Sequence, residues 1–251
     1  NDFIGGRYSV LSEVGMFPAA LMNLNVTKFK NLKKLIHNRH FVSSLINSVS
    51  SIYTLNQQKV KNSVILNYDL RLNDLSLWYQ QLIGESLGKK GKGITPIIST
   101  CPKDHHSLLQ LYLDGPKDKF FTFFSSSTNK GGKIESVVNV QCKATKNIFR
   151  KKKIPYSHFI FNKNDENELG SFFTFFVLET ILLARLMNVN PYDQPAVDQV
   201  KIGRNRQCGN QNRGRPWKTR NREDLEQSSE NSVLKTACCA ARKNGRSPCR
   251  G

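Results

Sequence analysis

Apolar and polar positions along the first 200 residues keep two distinct rhythms. From Lys28 to Ser48, Phe29, Leu32, Leu35, Ile36, Phe41, Leu45 and Ile46 recur at roughly helical spacing. Val64-Ile65-Leu66-Asn67-Tyr68 is short and compact, and reads as a buried strand. Asp74 to Ile83 returns to the helical rhythm through Leu75, Leu77, Trp78, Leu82 and Ile83, with Asn73 as its cap and Gly84 as its end. Gly88, Gly91 and Gly93, interleaved with Lys89, Lys90 and Lys92, predict a flexible loop. Ile94 to Ser99 reads as a second strand, and Asp104 as the cap of a helix running through Tyr112. Phe120 to Phe124 predicts a third strand, apolar enough to be buried on both faces. Arg150 to Lys153 is a solvated charge run, and His158 to Phe161 a fourth strand. Glu166 to Met187 is the longest helical segment, apolar around most of its circumference, and so a core helix. Strands that alternate with helices predict an α/β fold, a parallel sheet with helices on both faces. In such sheets ligands sit at the carboxyl ends of the strands.

After Lys201 this rhythm stops. Asn, Gln, Arg, Gly and Ser dominate to Gly251, which predicts a disordered basic tail over 203–251 that is not native to the sequence before it. The net charge is +19, and twelve basic residues against four acidic ones from Gly203 onward place +8 of it there. A basic surface suits an anionic partner, whether sugar phosphate, nucleic acid or anionic lipid. Six cysteines form no disulfide framework, and the four in the tail lack both a CxxC pair and a histidine, so no zinc site is expected. A reduced, cytoplasmic chain follows. The most apolar stretch, Ser171 to Met187, contains Glu179 and Arg185 and is shorter than the roughly 20 residues of a membrane span. No membrane association and no secretory signal are expected. The chain opens on Asn1 and enters a motif at once, as an amino-terminally truncated fragment does.

Three polar segments carry the candidate chemistry. The first is Asp2-Phe3-Ile4-Gly5-Gly6-Arg7-Tyr8-Ser9-Val10-Leu11-Ser12, the second Gln81-Leu82-Ile83-Gly84-Glu85-Ser86. The third is Asn190-Pro191-Tyr192-Asp193-Gln194-Pro195-Ala196-Val197-Asp198-Gln199-Val200-Lys201. Alone, Glu85 reads as a surface carboxylate at a helix end, Arg7 as a structural arginine in a turn, and His106 as a packed or exposed histidine. Together and in this order, the segments resemble the glucose-6-phosphate isomerase family. The resemblance implies a sugar-isomerase (SIS-type) three-layer αβα sandwich with a mainly parallel sheet. Residues 1–50 would be the end of a first sugar-isomerase domain with its connecting helices, and 51–202 a second.

The resemblance also assigns roles. Glu85 would be the base that moves a proton between C2 and C1, as one carboxylate in a closed site can. Arg7, whose guanidinium keeps its proton, would face the enediolate. Gln81 and Gln194 would bind substrate. His106, chosen over His105 because it stands four residues before Gln110-Leu111, and Lys201 would open the sugar ring. Lys201 lies seven residues after Gln194, two helical turns away. In the family the histidine reaches the neighbouring subunit's site, which implies a homodimer. The chemistry calls for no metal and no organic cofactor. Ala196, Asp198 and Glu13 depart mildly from the family pattern. The family's Ser/Thr-rich phosphate loop stands upstream of the Gly-Gly-Arg motif, and none precedes Asn1. Ser125-Ser126-Ser127-Thr128 follows a different strand and reads as a polar loop. Little activity is therefore expected of the fragment alone. Two other readings are a non-catalytic sugar-phosphate-binding module and a nucleic-acid-binding protein acting through its tail. The tail's single aromatic, Trp217, argues against the latter.

Overall fold

The computed structural model describes residues 5–127, 132–163 and 165–200. A 3₁₀ turn, Gly6–Leu11, leads into α1 (Glu13–Leu21), and three further helices follow: α2 (Val26–Phe29), α3 (Leu32–Ile36) and α4 (Arg39–Gln57). Then come β1 (Asn62–Asn67), a 3₁₀ turn Leu70–Leu72, α5 (Asn73–Leu87), β2 (Thr95–Thr100), α6 (Lys103–Asp114), β3 (Lys119–Ser126), α7 (Gly132–Lys151), β4 (Tyr156–Phe161) and α8 (Glu166–Leu186). Residues 5 to 194 belong to one compact unit; residues 195–200 are helical and belong to a second. The tail from 203 onward lies outside the described residues.

The four strands form one sheet in the order β2-β1-β3-β4, parallel throughout. Side chains of a strand alternate between faces, and the core divides accordingly. Ile65, Phe120 and Phe124 face α4, α5 and α8. Val64, Leu66, Phe121 and Phe123 face α6 and α7. This is a three-layer α/β sandwich with helices on both faces. On the α5/α8 side Phe176 is fully buried, with its ring centroid 4.4 Å from Tyr79, 5.1 Å from Phe159 and 5.7 Å from Phe124.

Several boundaries differ from the sequence pattern, each for a local reason. The helical rhythm over Lys28–Ser48 is cut into three helices. The Asn31 amide donates to the Lys28 carbonyl and closes α2, while the Asn38 side chain accepts from the His40 and Phe41 N–H groups and opens α4. Asn73 is the first residue inside α5 and not its cap; Asp69, four residues earlier, accepts from Arg71 N–H and organises the turn that feeds the helix. Gly84 does not end α5. The helix runs on to Leu87 because Ser86 and Leu87 are fully buried, which outweighs a glycine penalty of about 1 kcal/mol. Asp104 stands one residue inside α6, and its carboxylate accepts from Thr100 N–H and the Ser99 hydroxyl, binding the helix to the end of β2. Two of the three lysines of the glycine loop are anchored: Lys89 pairs with Asp193 at 2.8 Å, and Lys92 donates to the Met187 carbonyl at 2.9 Å.

Helix α7 has no counterpart in the sequence reading. It fully buries Cys142, Thr145 and Phe149, while other apolar residues, among them Ile134, Val137 and Val140, stay exposed. Helix α8 is 21 residues long and apolar enough, by length and composition, to cross a membrane. In this fold it packs against α2, α4 and α5, as a core helix does. Its Gly170 permits the closest approach: a Cβ there would stand 2.3 Å from the Phe29 carbonyl oxygen.

The same helix buries Glu179, which is 1% exposed. Its carboxylate accepts from the Ser48 and Tyr79 hydroxyls. Burial raises its pKa above the ordinary carboxylate range, and the two donors only partly oppose this. The folded state thus holds this proton more tightly than the unfolded chain. The sign follows: the contribution to stability is greatest below the ordinary carboxylate pKa of about 4.3 and is lost as pH rises through the raised value. Glu179→Gln removes that loss. Denaturant midpoints measured from about pH 4 to 8 are expected to show the variant gaining on the wild type as pH rises; a constant difference rejects the account.

Candidate active site

Arg7 leaves the 3₁₀ turn Gly6–Leu11 and is 2% exposed. Its guanidinium has five N–H donors, and five acceptors meet them. Nε donates to Ser86 Oγ at 3.0 Å. Nη1 donates to Glu85 Oε2 at 3.0 Å and to Gln194 Oε1 at 3.3 Å. Nη2 donates to the carbonyls of Pro191 at 2.7 Å and Asp193 at 3.0 Å. The Trp78 indole N–H donates to the Arg7 carbonyl at 3.0 Å, and its ring lies edge-on to Phe173 at 4.9 Å, which anchors the turn to α5 and α8.

Glu85 occupies the last turn of α5, where Gln81 lies one turn back on the same face. Gln81 Nε2 donates to Glu85 Oε1 at 3.0 Å, so both carboxylate oxygens are held. The carboxylate is 31% exposed and can still meet a ligand. Beside it, Tyr8 Oη lies 2.9 Å from Ser86 Oγ and 3.4 Å from the Pro191 carbonyl. Because Ser86 Oγ accepts from Arg7, a consistent proton order runs from Ser86 to Tyr8 to Pro191. Burial raises the pKa of Tyr8, so it serves here as a neutral donor.

The structure therefore brings Arg7, Gln81, Glu85 and Gln194 together from segments far apart in sequence. It does not bring His106 to them. His106 is exposed on α6, which packs on the face of the sheet opposite α5. Its neighbour His105 bonds the Tyr68 hydroxyl at 2.6 Å. Lys201 lies outside the described residues. Nor does the cluster sit at the carboxyl ends of the strands. Helix α5 returns antiparallel to β1, so Glu85 lies near the amino end of the sheet, with Gly84 against Pro96 of β2. A groove of about 970 Å³ between α4, α8 and β4 is elsewhere and includes none of these four residues. The described cysteines, Cys101 and Cys142, are free thiols, and no group of residues suited to a metal ion occurs among the described residues.

Sequence reasoning missed the partners that build the cluster. Ser86 and Tyr8 stand inside the quoted motifs without a role, Trp78 reads only as an apolar helix position, and carbonyls leave no trace in side-chain pattern. Prolines and turn residues around 190–195 were the available signal that the backbone there is presented to something.

Residues 1–101 match the family described as phosphoglucose isomerase. The glucose-6-phosphate isomerase of Methanocaldococcus jannaschii is 31% identical over 220 residues, which is 79% of this chain and 54% of that protein. The chain is similar to phosphoglucose isomerases over most of its length. The glucose-6-phosphate isomerase of Campylobacter jejuni is 29% identical over 222 residues, 79% of this chain and 55% of its own length. The chain thus spans about half the length of the curated phosphoglucose isomerases it matches. Solved structures carry the same fold. A hypothetical protein from Thermus thermophilus superposes with a TM-score of 0.70 at 22% identity, over 81% of this chain and 55% of that one. A glucose-6-phosphate isomerase from Chlamydia trachomatis gives a TM-score of 0.66 at 16% identity, over 92% of this chain and 50% of that one.

Proposed function

We propose that this chain supplies the base-bearing part of an aldose–ketose isomerase that interconverts glucose 6-phosphate and fructose 6-phosphate, in glycolysis and gluconeogenesis. The observation that supports it most is the Arg7 cluster: one buried guanidinium gathers Glu85, Ser86, Gln194 and two carbonyls of the third motif. Residues 51–202 would form its second sugar-isomerase domain and 1–50 the end of the first.

In this reading Glu85 takes the C2 proton of the open-chain aldose, the electron pair forms the C1–C2 enediolate, the hydroxyl proton passes from O2 to O1, and the same carboxylate returns a proton to C1 as the C2 carbonyl forms. Arg7 stabilises the enediolate. Its Nη1 bond to Gln194 is, at 3.3 Å, the longest of the five, and a substrate oxygen replacing Gln194 there would sit beside the base. A preorganised donor of this kind is worth about 3–4 kcal/mol in the transition state. Gln81 fixes the carboxylate, Lys201 and His106 serve ring opening, and His106 does so in the neighbouring subunit of a homodimer. The exposure of His106 on α6 suits that role. One carboxylate and fixed charges suffice, so the mechanism calls on no metal or cofactor. A cytoplasmic location follows from the resemblance, and no membrane or nucleic-acid partner is required.

The test joins this chain to the part of the Methanocaldococcus relative that it does not cover and measures conversion of glucose 6-phosphate to fructose 6-phosphate. Glu85→Gln is expected to lower kcat by about 10² to 10⁴, with substrate binding retained. Turnover undiminished in that variant removes Glu85 from the base's role.

A further inference from the structure

Strands β3 and β4 end beside a polar cavity of about 390 Å³. Ser125, Ser126 and Ser127 from the end of β3, His158 from β4, and Lys143 and Lys146 from α7 face it. Neither Arg7 nor Glu85 lines it, so it stands apart from the cluster above and does not depend on the isomerase reading.

Its charge is unbalanced. Among the described residues, two lysines line it and no carboxylate does. Lys146 Nζ lies 3.0 Å from His158 Nδ1, and His158 Nε2 lies 2.7 Å from Ser125 Oγ. An ammonium can only donate, so Nδ1 accepts and the ring proton sits on Nε2, donated to Ser125. Burial and the charge of Lys146 lower His158 to about 4, which keeps the ring neutral near pH 7. The partner of half-buried Lys146 is thus uncharged, and neither Lys146 nor Lys143 has a salt bridge among the described residues. The one acid of α7, Glu135, pairs with Arg71 at 3.3 Å. Cys142 adds no negative charge, because burial raises its thiol to about 11. A half-buried ammonium among hydroxyls calls for an anion, and the carboxyl ends of parallel strands are where this class of sheet presents ligands.

We propose that this cavity binds a compact dianion, either phosphate or the phosphate group of a phosphomonoester, with Lys146 and Lys143 supplying charge and the serine hydroxyls hydrogen bonds.

Inorganic phosphate is titrated calorimetrically into the full chain at constant ionic strength in chloride. We expect saturable one-to-one binding that weakens at least about tenfold in Lys146→Met and is unchanged in Lys33→Met, an exposed lysine of α3. Glycerol 3-phosphate and glycerol then separate the sources. Displacement by the former alone supports a phosphomonoester site, and displacement by neither supports a site for free phosphate. Binding that does not saturate overturns the proposal. So does wild-type affinity in Lys146→Met, which would assign the phosphate to basic residues elsewhere, such as those after Gly203. Circular dichroism checks folding of Lys146→Met. If it fails to fold, Lys143→Met, whose side chain is exposed, takes its place with the same expected loss, and wild-type affinity there overturns the proposal equally.

Discussion

Arg7→Lys is expected to cost about 3 kcal/mol of unfolding free energy. The loss comes from geometry more than from charge. A lysine carries three donors on one nitrogen and cannot span the five acceptors that the planar guanidinium reaches. The carbonyls of Pro191 and Asp193, at 2.7 and 3.0 Å from Nη2, lose their donor. Ser86 is fully buried and loses the bond from Nε. Glu85 keeps a cation nearby, and at 31% exposure it suffers least, because water can reach it. For a unit of this size the thermal midpoint should fall by about 6–12 °C. Heat denaturation followed by circular dichroism checks this. A fall of about 2 °C or less would mean that the 190–194 segment holds its place without Arg7.

Phe176→Ala should cost more, about 3–5 kcal/mol. The ring is fully buried where α8 meets α5 and the sheet, among Tyr79, Phe124 and Phe159. Rigid rings on three sides cannot collapse into the space left behind, so transfer and cavity costs both apply. Phe176→Leu refills much of the volume and should cost less than half as much. Urea denaturation of both variants separates the terms. Equal costs for Ala and Leu would point to a lost ring–ring geometry instead of a lost volume.

What the sequence revealed follows what each element buries. Strands β1 and β3 are buried on both faces, so Val64–Leu66 stands out as an apolar run and Phe120–Phe124 as one interrupted only by Thr122. Helix α8 is legible for the same reason. Helix α7 buries Cys142, Thr145 and Phe149 but leaves Ile134, Val137, Val140 and Ile148 exposed, so its apolar positions do not read as one clean core stripe. Local punctuation misled at Gly84, where tertiary burial of Ser86 and Leu87 keeps the helix going. In the candidate site the ionic and amide groups Arg7, Gln81, Glu85 and Gln194 were legible because they stand in motifs. The groups that fasten them were not. Two are backbone carbonyls, at Pro191 and Asp193, and one is an indole N–H at Trp78 whose ring looks like core. The general rule that ligands meet the carboxyl ends of strands also misplaced the cluster, since Glu85 rides on the returning end of α5.

The central claim is that Arg7 clamps Glu85 into a single folded cluster with the 190–194 segment. A double-mutant cycle on unfolding free energy, with Arg7→Met, Glu85→Gln and the pair, tests it most directly, because methionine leaves no cation beside Glu85. The predicted result is a coupling of at least about 1 kcal/mol between the two positions. Additivity within about 0.5 kcal/mol would contradict it.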